Sequence, residues 1–119
     1  MISDLSAYIN RLDLLNETVK QIAKDFSWSG LEIKFSGNAD NAYQELFAQI
    51  HPKIEKILKE RAENFYELMY RIDISESQLK KAVEQAKDQS FSEVATNLIL
   101  KRELLKVVMR KQFSTEKRF

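Results

Sequence analysis

His51 and Glu55 stand four residues apart, a spacing that puts an imidazole and a carboxylate on one face of a helix, within reach of a shared metal ion. Two ligands do not complete a site. There is no second histidine and no cysteine to add to them. The residue three before His51 is Ala48, so the Glu-x-x-His arrangement of di-iron bundles is missing as well. No metal or cofactor is expected, and His51 reads as a solvated residue ahead of Pro52. Nucleophilic catalysis needs a nucleophile with a base held beside it. The serines fall mostly at candidate caps and turns, and no G-x-S-x-G elbow is present. Gly30 and Gly37 stand alone, which removes the clustered glycines of a phosphate-cradling loop. No catalytic residue is assigned, and an enzyme is not expected.

The remaining chemistry-bearing pattern is basic. Arg102, Lys106 and Arg110 follow one another at i, i+4 and i+8 and form a stripe along the last helix, with Lys101, Lys111, Lys117 and Arg118 nearby. Residues 1–100 hold 12 Lys/Arg against 16 Asp/Glu, whereas residues 101–119 hold 7 against 2. The stripe is therefore a candidate polyanion contact, able to bind phosphates by charge. Against a nucleic-acid partner, the whole chain carries a net charge of only +1 and a sequence pI near 7.9. The helix is also too apolar to lie free in a groove. Internal ion pairs with the acidic second and third helices are the favoured role, and a nucleic-acid-associated accessory protein is the alternative. Binding to a membrane surface is not expected, because the apolar residues beside the stripe are needed for a core.

These residues must be positioned by helices. The chain has 119 residues, two Gly and one Pro, too few breakers for the turns of a sandwich or barrel. With 44% hydrophobic and 31% charged residues it has the composition of a soluble globular domain. One domain over 1–119 is expected, large enough to bury a core without a disulfide. The start Met1-Ile2-Ser3-Asp4 lacks the basic and apolar regions of a signal peptide, and no run reaches the length of a membrane span. A cytoplasmic location follows as the expectation.

The periodicity predicts a first helix over about 4–26. It is capped at Ser3 or Asp4, with Leu5, Tyr8, Leu12, Leu15, Val19, Ile22 and Phe26 in a 3-4 seam. Gly30 ends it as a left-handed cap. Leu31, Ile33 and Phe35 then alternate with polar residues, as an extended loop laid on the bundle or as a strand paired with a second copy. A second helical stretch runs from Asp40, its N-cap, to about Ile72, broken or kinked near His51 by Pro52. Within it Phe65, Tyr66 and Tyr70 read as core aromatics. Ser75 to Gln78 is a capping box opening a short helix through Lys87, and Ser90 to Glu93 is a second box opening the last helix. That last helix carries two apolar stripes. One is Phe91, Val94, Ala95, Leu98, Leu105, Met109 and Phe113; the other is Leu100, Leu104, Val107 and Val108. The tail after Ser114 is expected to fray.

The fold class expected is all-α, a single bundle of four to five helices with an irregular crossover at 29–39. The apolar surplus points to an interaction protein, self-associating as a homodimer or binding another protein. Leu31, Ile33, Phe35, Leu100, Leu104 and Val107 are the candidate partner interface. The segments Tyr70-Arg71-Ile72-Asp73-Ile74-Ser75-Glu76, Leu100-Lys101-Arg102-Glu103 and Arg110-Lys111-Gln112-Phe113 resemble small all-helical bacterial proteins of unassigned function. The resemblance covers residues 70–113. It implies a free-standing bacterial protein and no activity.

Overall fold

The computed structural model describes residues 11–116, and the side chains of 11–112. Among these residues the fold is all-α, with no strand. Five helices run in order: α1 (Leu12–Asp25), α2 (Ala42–Glu60), α3 (Ala62–Ile72), α4 (Glu76–Gln85) and α5 (Phe91–Glu116). Two 3-10 turns, Ser27–Ser29 and Ala39–Asn41, bracket the crossover. The proposed caps Ser3 and Asp4 and the seam residues Leu5 and Tyr8 lie outside the described residues, as do Lys117, Arg118 and the end of the tail.

Helix α5 is the axis of the bundle and packs against all four other helices. Its 26 residues extend about 39 Å at 1.5 Å per residue. Ala95, Ile99 and Leu100 join Ile22, Phe26, Leu46, Ile50, Ile54, Phe65, Leu68 and Ile72 in the main core. Leu104, Val107 and Val108 form a second, smaller core with Leu14 of α1. The second apolar stripe of the last helix, Leu100, Leu104, Val107 and Val108, is therefore covered inside one chain, whereas Phe91 and Met109 of the first stay exposed. Leu100, Leu104 and Val107 were expected at a partner interface; they are buried between α5 and its neighbours, because a central helix needs two apolar faces.

The crossover is an extended loop held to α2. The Gln49 side-chain amide does what a neighbouring strand would do. Its Oε1 accepts from the Lys34 N–H at 2.8 Å and its Nε2 donates to the Lys34 carbonyl at 2.7 Å. One turn away, Glu45 accepts from the Ser36 N–H and hydroxyl at 2.6 and 2.7 Å. Leu31 and Ile33 are thereby laid half-buried on the main core, and Phe35 is half-buried too. Gly30, at φ 79°, makes the left-handed turn into this segment.

Helix α2 runs unbroken through Pro52, so of the two expectations there, two helices meeting near His51 or one kinked helix, the first is not met. Pro52 withholds its donor from the carbonyl of Ala48, but both residues are exposed, so water can take that place. The break comes instead at Arg61, at φ −152° and ψ 89°. The cap of α2 also shifts: the Asn38 side chain accepts from the Asp40 N–H at 3.1 Å and starts the preceding 3-10 turn.

Helix α3 ends on Asp73 in the left-handed region (φ 71°), a conformation more usual for Gly. The Asp73 N–H donates to Tyr70 O and the Ile74 N–H to Met69 O, which closes the helix in a Schellman motif over buried Ile74 and Met69. Both expected capping boxes form. Ser75 and Gln78 exchange bonds of 2.9 and 3.1 Å, and Ser90 and Glu93 bonds of 3.0 and 3.2 Å.

Candidate functional site

The basic stripe of α5 is engaged within the fold. Arg102 donates to the Ile72 carbonyl at 3.3 Å and pairs with the Asp73 carboxylate at 2.8 Å. Lys106 donates to the Arg71 carbonyl at 3.4 Å and to the Asp25 carboxylate at 3.1 Å. Two of the three cations thus satisfy carbonyls at the C-terminal end of α3, where the helix dipole is negative. Arg110 donates to Gln21 at 3.0 Å, and Lys111 pairs with Asp13 at 3.0 Å. The acidic partners come from α1 and from the end of α3, not from the second helix as well.

Behind the stripe lies a polar network that the sequence did not reveal. Thr18, Gln21 and Asp25 of α1 and Glu103 of α5 are all buried. Gln21 links Arg110 to Asp25, donating to the Asp25 carboxylate at 3.1 Å. Glu103 is fully enclosed, neither of its oxygens accepts a hydrogen bond, and Lys106 Nζ stands 3.5 Å away. Burial, reinforced by the hydrogen-bonded and negatively charged Asp25, pushes the Glu103 carboxyl up to about 8, against the smaller opposing effect of Lys106. Burial also opposes ionisation of Asp25. Its hydrogen bonds from Glu103, Gln21 and Lys106, with the Lys106 charge, outweigh that and hold it below the usual range. Glu103 therefore carries a proton at neutral pH and donates it to ionised Asp25.

The one sequence signal for this network was Glu103 itself, a carboxylate flanked by Leu100, Leu104 and Val107. On α1, Leu14, Thr18, Gln21 and Asp25 follow at 4-3-4 spacing beside the apolar seam and are buried. Leu12 of the seam is exposed.

His51 is not solvated. It is half-buried, and its Nε2 lies 2.9 Å from the Ser92 hydroxyl at the start of α5. Ser92 also meets Glu55 at 3.3 Å and Ser90 at 3.2 Å. A serine, an imidazole and a carboxylate thus come together. However, Glu55 approaches the same ring nitrogen that meets Ser92, at 3.8 Å. In a catalytic triad the acid holds the other nitrogen and fixes the tautomer. The cluster ties α2 to the start of α5 beside a further link, in which the Tyr43 hydroxyl donates to Asn97. Burial pushes the Tyr43 phenol up to about 12. Among the described residues no group of three or more His, Cys, Asp or Glu can hold a metal ion.

The surface with unfilled capacity is on α3 and α4. Helix α4 docks on α5 and barely touches α3. The gap is an open groove of about 580 Å³ lined by Tyr66, Leu79, Val83 and Phe91, with Glu76, Lys80 and Glu84 at its edge. Two further concavities adjoin it, and Tyr66 lines all three. Of the three aromatics of α3 expected in the core, Phe65 alone is there. Tyr66 is 49% exposed, Tyr70 88% and Phe91 37%. Phe65 supports the face from below, with ring centroids 5.3 Å from Tyr66 and 5.6 Å from Phe91. The spacing misled because 65, 68, 69 and 72 already fill the buried stripe of α3, which turns 66 and 70 outward.

No protein-family model, curated protein or solved structure matches the chain. No helix among the described residues is long and apolar enough to cross a membrane.

Proposed function

We propose that this chain is a non-enzymatic protein-interaction module and that its binding face is the α3–α4 groove centred on Tyr66. The observation that carries this reading is the exposure of Tyr66 and Phe91 on an open apolar groove, with Tyr70 on the concavities that adjoin it. Tyrosine-rich apolar surface of this kind is what protein interfaces favour, because it gives large contact area at low conformational cost. Self-association was motivated by the two apolar stripes of α5 and by the cover that Leu31, Ile33 and Phe35 need; the second stripe is buried inside the chain, and Leu31, Ile33 and Phe35 are half-buried. The α3–α4 face then becomes the best-supported place for a partner. The nucleic-acid alternative draws less support, since Arg102, Lys106 and Arg110 are each committed to an internal acceptor.

The test is amide chemical-shift mapping of the full chain with uncharged amphipathic helical peptides. Shifts clustered between residues 63 and 91, lost in a Tyr66→Ser variant, are expected. Absence of any shift at about 1 mM peptide, where even weak binding of about −4 kcal/mol registers, would sink the reading.

A further inference from the structure

The groove has a charged edge as well as an apolar floor. Glu76 and Glu84 stand at its edge against Lys80, and Glu63 and Glu67 line the adjoining concavity against Arg71, four carboxylates to two cations. Among the described residues Glu63 has only a loose contact with Arg61 at 3.9 Å, and Glu67, Glu76 and Glu84 are in no ion pair.

Local structure accounts for Glu76, which stands in the first turn of α4 where the dipole is positive. It accounts equally for Glu63, in the first turn of α3, but not for Glu67 and Glu84. Glu84 lies in the last turn of the same helix, at the negative end, and no basic residue is there to offset it. Glu67 lies in the middle of α3, one residue from Tyr66. The four glutamates outnumber Lys80 and Arg71 around the apolar opening and the concavity beside it, and a net negative edge selects partners by sign.

Resting on the interaction reading above, we infer that the occupant of this groove is a cationic amphipathic helix of another protein. Its apolar side chain sits against Tyr66 and its Lys or Arg side chains reach Glu63, Glu67, Glu76 and Glu84. The open channel between two helices suits a helical segment laid in a groove, with apolar anchors spaced at i, i+3 and i+4. A second copy presenting this same face is a poorer match. The two-fold arrangement of such a dimer would bring glutamates against glutamates.

Two synthetic peptides of about 18 residues test the inference, one with a Leu/Phe stripe flanked by Lys and the other identical with Glu in place of Lys. Each is titrated into the full chain and followed by amide shifts and calorimetry. The Lys peptide should bind at residues 63–91, and the Glu peptide at least about tenfold more weakly. Raising salt from about 50 to about 500 mM should weaken the Lys peptide by about tenfold, since exposed charges are screened. In a Glu67→Lys/Glu84→Lys variant, whose substituted positions are solvent-exposed, the preference should reverse. Equal binding of both peptides at this face overturns the charge assignment and leaves the interaction reading standing. Binding of neither, or shifts elsewhere, overturns both. A light-scattering mass of twice the 14.0 kDa chain that falls in Tyr66→Ser would make the occupant a second copy, and that also overturns the assignment.

Discussion

Where α5 meets α1, polar groups are taken out of water; where α4 stands off α3, aromatic rings are left in it. On the first side Gln21, Asp25 and Glu103 are buried, and Lys106 and Arg110 close over them from the rim. On the second, Tyr66, Tyr70 and Phe91 each keep more than a third of their surface in solvent. Both arrangements run against the usual sorting of residues. They differ in whether the departure is compensated. Apart from one Glu103 oxygen, each buried acceptor on the α1–α5 side has a donor or a proton, so that side is largely closed and specifies how two helices meet. Among the described residues the aromatic face has no such closure, and the capacity it leaves open is what a partner can use.

Substitution on the two faces should therefore produce opposite phenotypes, and the largest effect is expected at Lys106. Lys106→Met keeps most of the side-chain volume but removes the cation beside Asp25 and the donor to the Arg71 carbonyl. Breaking a buried pair from one side leaves an uncompensated charge, so a loss of about 3 kcal/mol is expected by denaturant unfolding. A loss under about 1 kcal/mol would mean that the pair behaves as a surface ion pair and that the α1–α5 side is not special.

Comparable in size to that substitution is the pH dependence of stability. Glu103 holds its proton up to about pH 8 in the folded chain, against an ordinary value of 4.5. Between those values the folded chain binds one proton more than the unfolded chain. Stability from this group is fully present below 4.5, declines as pH rises and is lost by about 8. The decline amounts to a few kcal/mol, since each pH unit across the window contributes about 1.4 kcal/mol. Asp25 works in the other direction. Its folded value lies below 3.8, so its contribution is present above that and is lost as pH falls through the lowered value. Glu103→Gln keeps a neutral donor next to Asp25 and should flatten the neutral-to-alkaline decline while leaving the acid limb in place. An unchanged slope from pH 5 to about 8 in that variant would place the titrating group elsewhere.

The all-α class, both capping boxes and the left-handed Gly30 were legible because local chemistry decides them. Ser75 and Gln78 need nothing beyond four residues to satisfy each other. The same local logic left Pro52 open between a break and a kink, and solvent there tolerates a missing hydrogen bond; it failed at Arg61, where no Gly or Pro announces the break. It failed more instructively at the two faces. Leu100, Leu104 and Val107 looked like surplus because a sequence does not say that α5 is central. Tyr66 and Tyr70 looked like core because aromatic residues usually are, although the buried stripe of α3 was already filled by Phe65, Leu68, Met69 and Ile72. The Gln21–Asp25–Glu103 network joins residues about eighty positions apart, and no window along the chain contains both halves.

Smaller effects probe the crossover and the aromatic face. Gln49→Ala removes both hydrogen bonds that hold Lys34, yet these bonds lie at an exposed edge, and a loss of about 1 kcal/mol is expected. Hydrogen exchange at the Lys34 amide should accelerate while the amides of α5 keep their protection, because the loop can detach without opening the core. Equal acceleration in α5 would show that the crossover is part of the cooperative core.

The smallest effect on stability should come from Tyr70→Ser. At 88% exposure the Tyr70 ring contributes almost no burial in the free chain, so unfolding should shift by no more than about 0.5 kcal/mol. Its effect on binding should be far larger, because a ring at the lip of the groove loses its water only when a partner arrives. At least a tenfold loss of affinity for the Lys-flanked peptide, with unchanged stability, separates a face kept for recognition from one that merely tolerates exposed aromatics. A stability loss of 1 kcal/mol or more, about twice what an exposed site should give, would instead mean that Tyr70 packs within the chain in solution. The contrast between the two sides of the bundle would then disappear.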